Sequence, residues 1–159
     1  MRLLPLIIVC LALSACGFQL RGEASLPQAM NDTWLDTPDD NTAFVRELSL
    51  LLRANGVSIS STQQPGAAQL RILSERMRRD ALTISGRARV REFVLGFEVD
   101  FELRDPDGEV LIERETLRMS RDYSFDEQEI LAATREEEFL RDEMRRSMAA
   151  RMLRRLEAL

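Results

Sequence analysis

The stretch Phe93-Val94-Leu95-Gly96-Phe97-Glu98-Val99-Asp100-Phe101-Glu102-Leu103-Arg104 decides the fold. Its odd positions, Phe93 to Leu103, are all apolar, while Val94, Gly96, Glu98, Asp100, Glu102 and Arg104 fill the even ones. Successive side chains of a strand point to opposite faces, so this is a half-buried strand with one apolar and one polar face. Asp105-Pro106-Asp107-Gly108 then supplies a turn: proline fixes φ, and glycine accepts a positive φ. Val110 to Tyr123 returns as the next strand. Its apolar positions change phase between Val110 and Ile112 on one side and Leu117 and Met119 on the other, which predicts a bulge or an edge position. On the N-terminal side, Ala68, Leu70 and Ile72 alternate as the preceding strand, and Thr33-Trp34-Leu35 reads as a short first one.

A sheet with one apolar face needs a cover. Phe44, Leu48, Leu51 and Leu52 recur at helical spacing, with Asp39, Asp40 or Asn41 as the N-cap and Asn55-Gly56 as the stop. Leu140, Met144, Met148, Met152 and Leu156 form a second stripe, which reads as core and not as a methionine binding box. Thr134 and Glu137 have capping-box spacing, and Arg151, Arg154 and Arg155 suit the C-terminal end of that helix's dipole. The expected fold class is α/β of the α+β kind. It comprises a small, mostly antiparallel four-stranded sheet with two helices packed on one face, in the order strand, helix, three strands, helix.

Composition excludes several functions. A chain of 159 residues with 45% hydrophobic and 31% charged residues has room for one globular domain. The formal net charge of −5 argues against a nucleic-acid partner. There is no histidine, which removes Ser-His-Asp and Cys-His catalysis and histidine metal sites. The Asp39-Asp40 pair could do acid-base chemistry, yet it sits where a helix cap is expected. The expectation is no enzyme, no metal and no cofactor.

The first residues are a leader. Met1-Arg2 is a short positive start, and Leu3 to Leu13 is an apolar run too short for a spanning helix of about 20 residues. Leu13-Ser14-Ala15-Cys16 resembles the lipobox of bacterial lipoproteins, in which the cysteine sulfur receives diacylglycerol. Residues 1–15 are therefore expected as a lipoprotein signal peptide, 16–27 as a lipidated tether attached through Cys16, and 28–159 as one domain. Gly17, where an aspartate would favour inner-membrane retention, points to the outer membrane.

From Cys16-Gly17-Phe18-Gln19-Leu20-Arg21-Gly22 onward the chain resembles the LPS-assembly lipoprotein family LptE. The resemblance resumes at Glu92-Phe93-Val94-Leu95 and the long strand, and continues through Arg121-Asp122-Tyr123, Leu131-Ala132, Glu136, Leu140 and Glu143-Met144 to Arg154-Arg155-Leu156. It implies a lipid-anchored outer-membrane protein reached from the periplasmic side. Such a protein plugs the LptD β-barrel, helps that barrel fold and takes part in assembling lipopolysaccharide at the cell surface. The alternative is a periplasm-facing lipid- or ligand-binding lipoprotein without a permanent barrel partner.

Strand phase adds a reading independent of the family. If Ala68, Leu70 and Ile72 face the core, the same phase continues as Ser74, Arg76 and Arg78. Backwards from Phe93, the core phase of the next strand reads Arg91, Arg89 and Arg87. With a turn near Ser85-Gly86, the apolar face becomes an arginine face that must project beyond the helices, opposite an acidic turn bearing Asp105 and Asp107. Arg76, Arg78, Arg87, Arg89 and Arg91 are candidates for the phosphates of lipopolysaccharide. They also suit keeping a hairpin from pairing with other strands, or meeting acidic groups on a barrel wall.

Overall fold

The computed structural model describes residues 26–84, 90–124 and 130–159. Cys16, the signal segment, most of the tether and the Ser85-Gly86 turn lie outside them. A 3-10 turn, Gln28–Met30, leads into β1 (Asp32–Asp36), α1 (Ala43–Ala54), β2 (Ser58–Ser60), β3 (Ala68–Ile84), β4 (Val90–Arg104), β5 (Val110–Ser124) and α2 (Ile130–Leu156). The sheet order is β2-β1-β3-β4-β5. The class is α+β, as expected, but the sheet has five strands and is mixed. β1 runs parallel to both β2 and β3, and β3, β4 and β5 form an antiparallel meander. The extra strand is Ser58-Ile59-Ser60, too short to show a pattern. Its place follows from α1, which carries the chain back so that β2 lies parallel beside β1.

The long strand behaves as its pattern requires. Leu95, Phe97, Val99, Phe101 and Leu103 are all fully buried, and the ring of Phe44 meets Phe97 edge-on at 5.8 Å. Met144, Met148, Met152 and Leu156 of α2 are buried in the same cluster, with Leu140 packed at its margin, so the methionines are core. Both helices therefore cover one face of the sheet. Gly108 takes a φ of 89° in the β4–β5 turn, where Asp105 Oδ1 accepts from the amides of Asp107 and Glu109. β5 is an edge strand and also carries the expected bulge: Leu103 pairs with Ile112, but Phe101 pairs with Glu115.

Both helix starts differ from expectation. Thr42 caps α1, accepting from the Val45 amide at 3.1 Å and donating to Glu75 Oε2 at 2.7 Å. Asp39, Asp40 and Asn41 instead build the preceding turn, through Asn41 N to Asp39 Oδ1 and Asn41 Nδ2 to Asp40 Oδ1. Asn55 caps the far end, and Gly56 adopts a φ of 85°, as Asn55-Gly56 required. Thr134 is not a cap, because α2 is already running at Ile130. Its hydroxyl donates to the Ile130 carbonyl at 2.9 Å, one turn back.

The arginine phase is corrected by one residue. Ile72 pairs with Phe101, but Ser74 pairs with Asp100, so Leu73 is an extra residue in β3. A bulge of this kind exchanges the two faces of everything beyond it. After Leu73 the helix-covered face reads Glu75, Met77 and Arg79, opposite Val99, Phe97 and Leu95. Arg76 and Arg78 lie opposite Glu98 and Gly96 on the open face, not in continuation of the core face. Two further irregularities, between Ala81 and Thr83 and between Thr83 and Ile84, interrupt the ladder before Val90.

Candidate functional site: the arginine-bordered acidic ladder

The open face of β4 presents Glu98, Asp100 and Glu102 in a row, with arginines of β3 and β5 on both sides. Glu98 receives Arg78 Nη2 at 3.1 Å, Arg118 Nε at 3.2 Å and Arg76 Nη2 at 3.3 Å. Asp100 receives Arg114 Nη2 at 2.9 Å and the hydroxyls of Thr116 at 2.6 Å and Ser74 at 3.0 Å. Glu102 receives Arg71, which also holds Asp36 at 2.6 Å. Among the described residues no buried side-chain polar atom is left without a partner.

The charges on this face are fixed by these contacts. Asp100 is 2% exposed, shielded by side chains on the open face and not by the core. The Thr116 and Arg114 hydrogen bonds hold its carboxyl at about 2, against a smaller opposing effect of desolvation. At Glu98 partial desolvation works against ionisation. The Arg118 hydrogen bond, the charge of Arg78 and the Arg76 hydrogen bond outweigh it and keep the carboxyl below its ordinary range. Around Glu98 and Asp100 four arginines, Arg76, Arg78, Arg114 and Arg118, meet two carboxylates. Their side chains stay 50–67% exposed. This part of the sheet is locally cationic in a chain whose net charge is −5.

Of the five arginines singled out in the sequence, the structure brings Arg76 and Arg78 together on Glu98. Arg87 and Arg89, and the side chain of Arg91, lie outside the described residues. The arginine that does occupy the helix-covered phase is Arg79, which the sequence reading passed over. Its guanidinium lies 3.6 Å from the centre of the Phe93 ring and 3.3 Å from Glu137 Oε2. Phe93 stacks on Tyr123 at 5.6 Å, the Tyr123 hydroxyl donates to Glu137, and Arg141 holds the same carboxylate at 2.7 Å. Burial and the bond to Glu137 push the Tyr123 phenol up to about 12. Glu137 is desolvated, but the Tyr123 and Arg141 hydrogen bonds keep it ionised and lower its pKa. The sequence signal was Met77: an apolar residue in the odd phase, after Leu70 and Ile72 in the even one, marks the change of face. Asp39 and Asp40 serve the turn before α1, and among the described residues no group of acids or cysteines could hold a metal.

The family model for LptE, lipopolysaccharide-assembly, matches residues 25–156. The chain is 27% identical over 157 residues to the LPS-assembly lipoprotein LptE of Photorhabdus laumondii, covering 98% of this chain and 85% of that one. Its fold is similar to the solution structure of lipoprotein B from Nitrosomonas europaea, with a TM-score of 0.75, 25% identity and coverage of 89% and 91%. It is also similar to the crystal structure of the rare lipoprotein B from Shewanella oneidensis, with a TM-score of 0.69, 28% identity and coverage of 80% and 94%. The match spans both helices and all five strands, so the chain belongs to the LptE family of lipopolysaccharide-assembly lipoproteins.

Proposed function

We propose that this protein is a non-enzymatic outer-membrane lipoprotein, acylated at Cys16, that pairs with an LptD-like β-barrel and touches lipopolysaccharide phosphates through arginines of the β3–β4 hairpin. The observation that supports the phosphate contact most is the surplus of four exposed arginines over two carboxylates around Glu98 and Asp100. A net-acidic chain gains nothing from a diffuse field, so attraction for an anionic lipid has to be local. The carboxylates hold the guanidiniums in place while leaving N–H groups directed at solvent, which suits two-point recognition of phosphate. The sequence adds Arg87, Arg89 and Arg91 between Ile84 and Glu92.

The test uses two double variants, Arg76→Gln with Arg78→Gln and Arg87→Gln with Arg89→Gln, and measures folding, barrel association and lipopolysaccharide binding. Charge-assisted bonds to phosphate contribute about 1.5–3 kcal/mol each, so each pair is expected to weaken binding by about tenfold or more and to flatten its salt dependence. Unchanged lipopolysaccharide binding in both variants refutes the phosphate role. Loss of barrel association alone assigns the arginines to the barrel wall. Affinity purification of the intact lipoprotein from membranes is expected to bring down one large barrel in stoichiometric amount, and its absence refutes the partnership. Mass spectrometry of the mature protein is expected to find Cys16 acylated at the N-terminus.

A further inference from the structure

At the other edge of the sheet, away from the arginine ladder, α1 and the β1–β2 pair enclose an open groove of about 570 Å³. Its apolar lining is Leu35, Val45, Leu50 and Ile59. Leu35 and Val45 are buried and form its floor, while Leu50 is 64% exposed at its rim. A volume of this size falls within the ~300–1,000 Å³ of ordinary small-molecule sites. Four apolar side chains along one groove suit a single hydrocarbon chain.

The polar groups of the groove give it a direction. Arg46 and Arg53 lie on one face of α1, about 10 Å apart along its axis. At the N-terminal end the polar side chains are tied to nearby backbone and an acid is present. Arg46 is bound to the Asn41 carbonyl, Thr37 donates to the Asp39 carbonyl, Ser60 donates to the Thr62 carbonyl, and Asp40 adds a negative charge. At the C-terminal end the Arg53 guanidinium has no hydrogen-bond or ion-pair partner among the described residues. The last carbonyls of α1 are capped. Those of Leu51, Leu52 and Arg53 accept from the amides of Asn55, Gly56 and Val57 and from Asn55 Nδ2. An extended peptide is a poor occupant, because β2 offers only three residues for strand addition.

We infer that this groove binds a long-chain fatty acid, with the carboxylate on Arg53 and the hydrocarbon along Leu50, Ile59, Val45 and Leu35. The inference rests on the groove alone and not on the lipopolysaccharide reading. The test reconstitutes the intact lipoprotein in lipid nanodiscs with a diazirine-bearing analogue of palmitate, irradiates it and maps the crosslinks by mass spectrometry. Label is expected within residues 35–61, competed by excess palmitate. Arg53→Gln is expected to lower it about tenfold, and Leu50→Ser severalfold. Arg46→Gln, at the end of the groove that also carries Asp40, should leave it near the wild-type level, and the corresponding diazirine alcohol should label weakly and equally in all variants. Circular dichroism verifies that each variant is folded. Label scattered over the surface, label unaffected by Arg53→Gln, or displacement by peptide but not by palmitate overturns the inference.

Discussion

The two faces of β4 are built from alternate residues of one strand, yet they resist perturbation in different ways. On the covered face Phe97 and Phe101 are buried in one core cluster with residues of both helices, and Phe97 meets Phe44 of α1 directly. On the open face Glu98 and Asp100 sit among arginines that remain largely in water. Removing apolar bulk leaves a cavity that neighbours cannot fill, whereas water re-solvates an exposed ion pair when it breaks. The comparison teaches that stability is carried by the odd positions, while the even positions are freer to serve recognition. Asp100 is the exception, since it is charged and also shut away from water.

The sharpest way to break this division is Phe97→Ala. It is expected to cost about 3–5 kcal/mol in urea unfolding, as truncation of a buried aromatic does. A cost near zero would show that the covered face is not the stabilising one. Asp100→Asn comes next, at about 1–3 kcal/mol, because a buried polar cluster loses its charge partner.

Asp100 also gives a pH dependence. Its carboxyl is held at about 2 when folded, against an ordinary value near 3.9. A lowered folded pKa means stability that is complete above pH 4 and lost as pH falls toward 2, on the order of 2 kcal/mol. Acid unfolding of Asp100→Asn should lack that portion, and an identical acid limb in both proteins would sink the assignment. The chain's one tyrosine, Tyr123, provides a smaller effect. Its phenol should titrate near 12 by ultraviolet absorbance, and closer to 10 in Glu137→Gln. Last, Glu98→Ala should leave the urea midpoint almost unchanged, and a loss as large as that of Phe97→Ala would erase the distinction between the faces.

Much of this architecture was legible in the residues. The alternation from Phe93 to Leu103 gave the strand and its buried side, and the leucine and methionine stripes gave both helices. Asp105-Pro106-Asp107-Gly108 gave the turn, and the phase change after Ile112 gave the bulge in β5. These signals are local and repeat over several residues. What was not legible depended on single residues or distant partners. Thr42 is preferred over Asp39 as cap because Glu75, 33 positions away, receives its hydroxyl. Glu137 had the spacing of a capping box but serves Tyr123 and Arg79 on the sheet. The face of Arg76 and Arg78 was misread because Leu73 is apolar and looks like one more strand residue, while in the ladder it has no counterpart.

Leu73 sets the phase of the hairpin without a partner of its own in the ladder. Deleting it would join Ile72 directly to Ser74 opposite Phe101 and Asp100, which is regular alternation, and would leave Met77 under the helices and Arg76 and Arg78 on the open face. Straightening the strand with Leu73 retained would do the reverse, driving Arg76 and Arg78 under the helices and Met77 into water. Among relatives, a one-residue gap at this point is therefore compatible with the same arginine face, and the hairpin arginines are to be compared by their ladder partners on β4 and not by residue count.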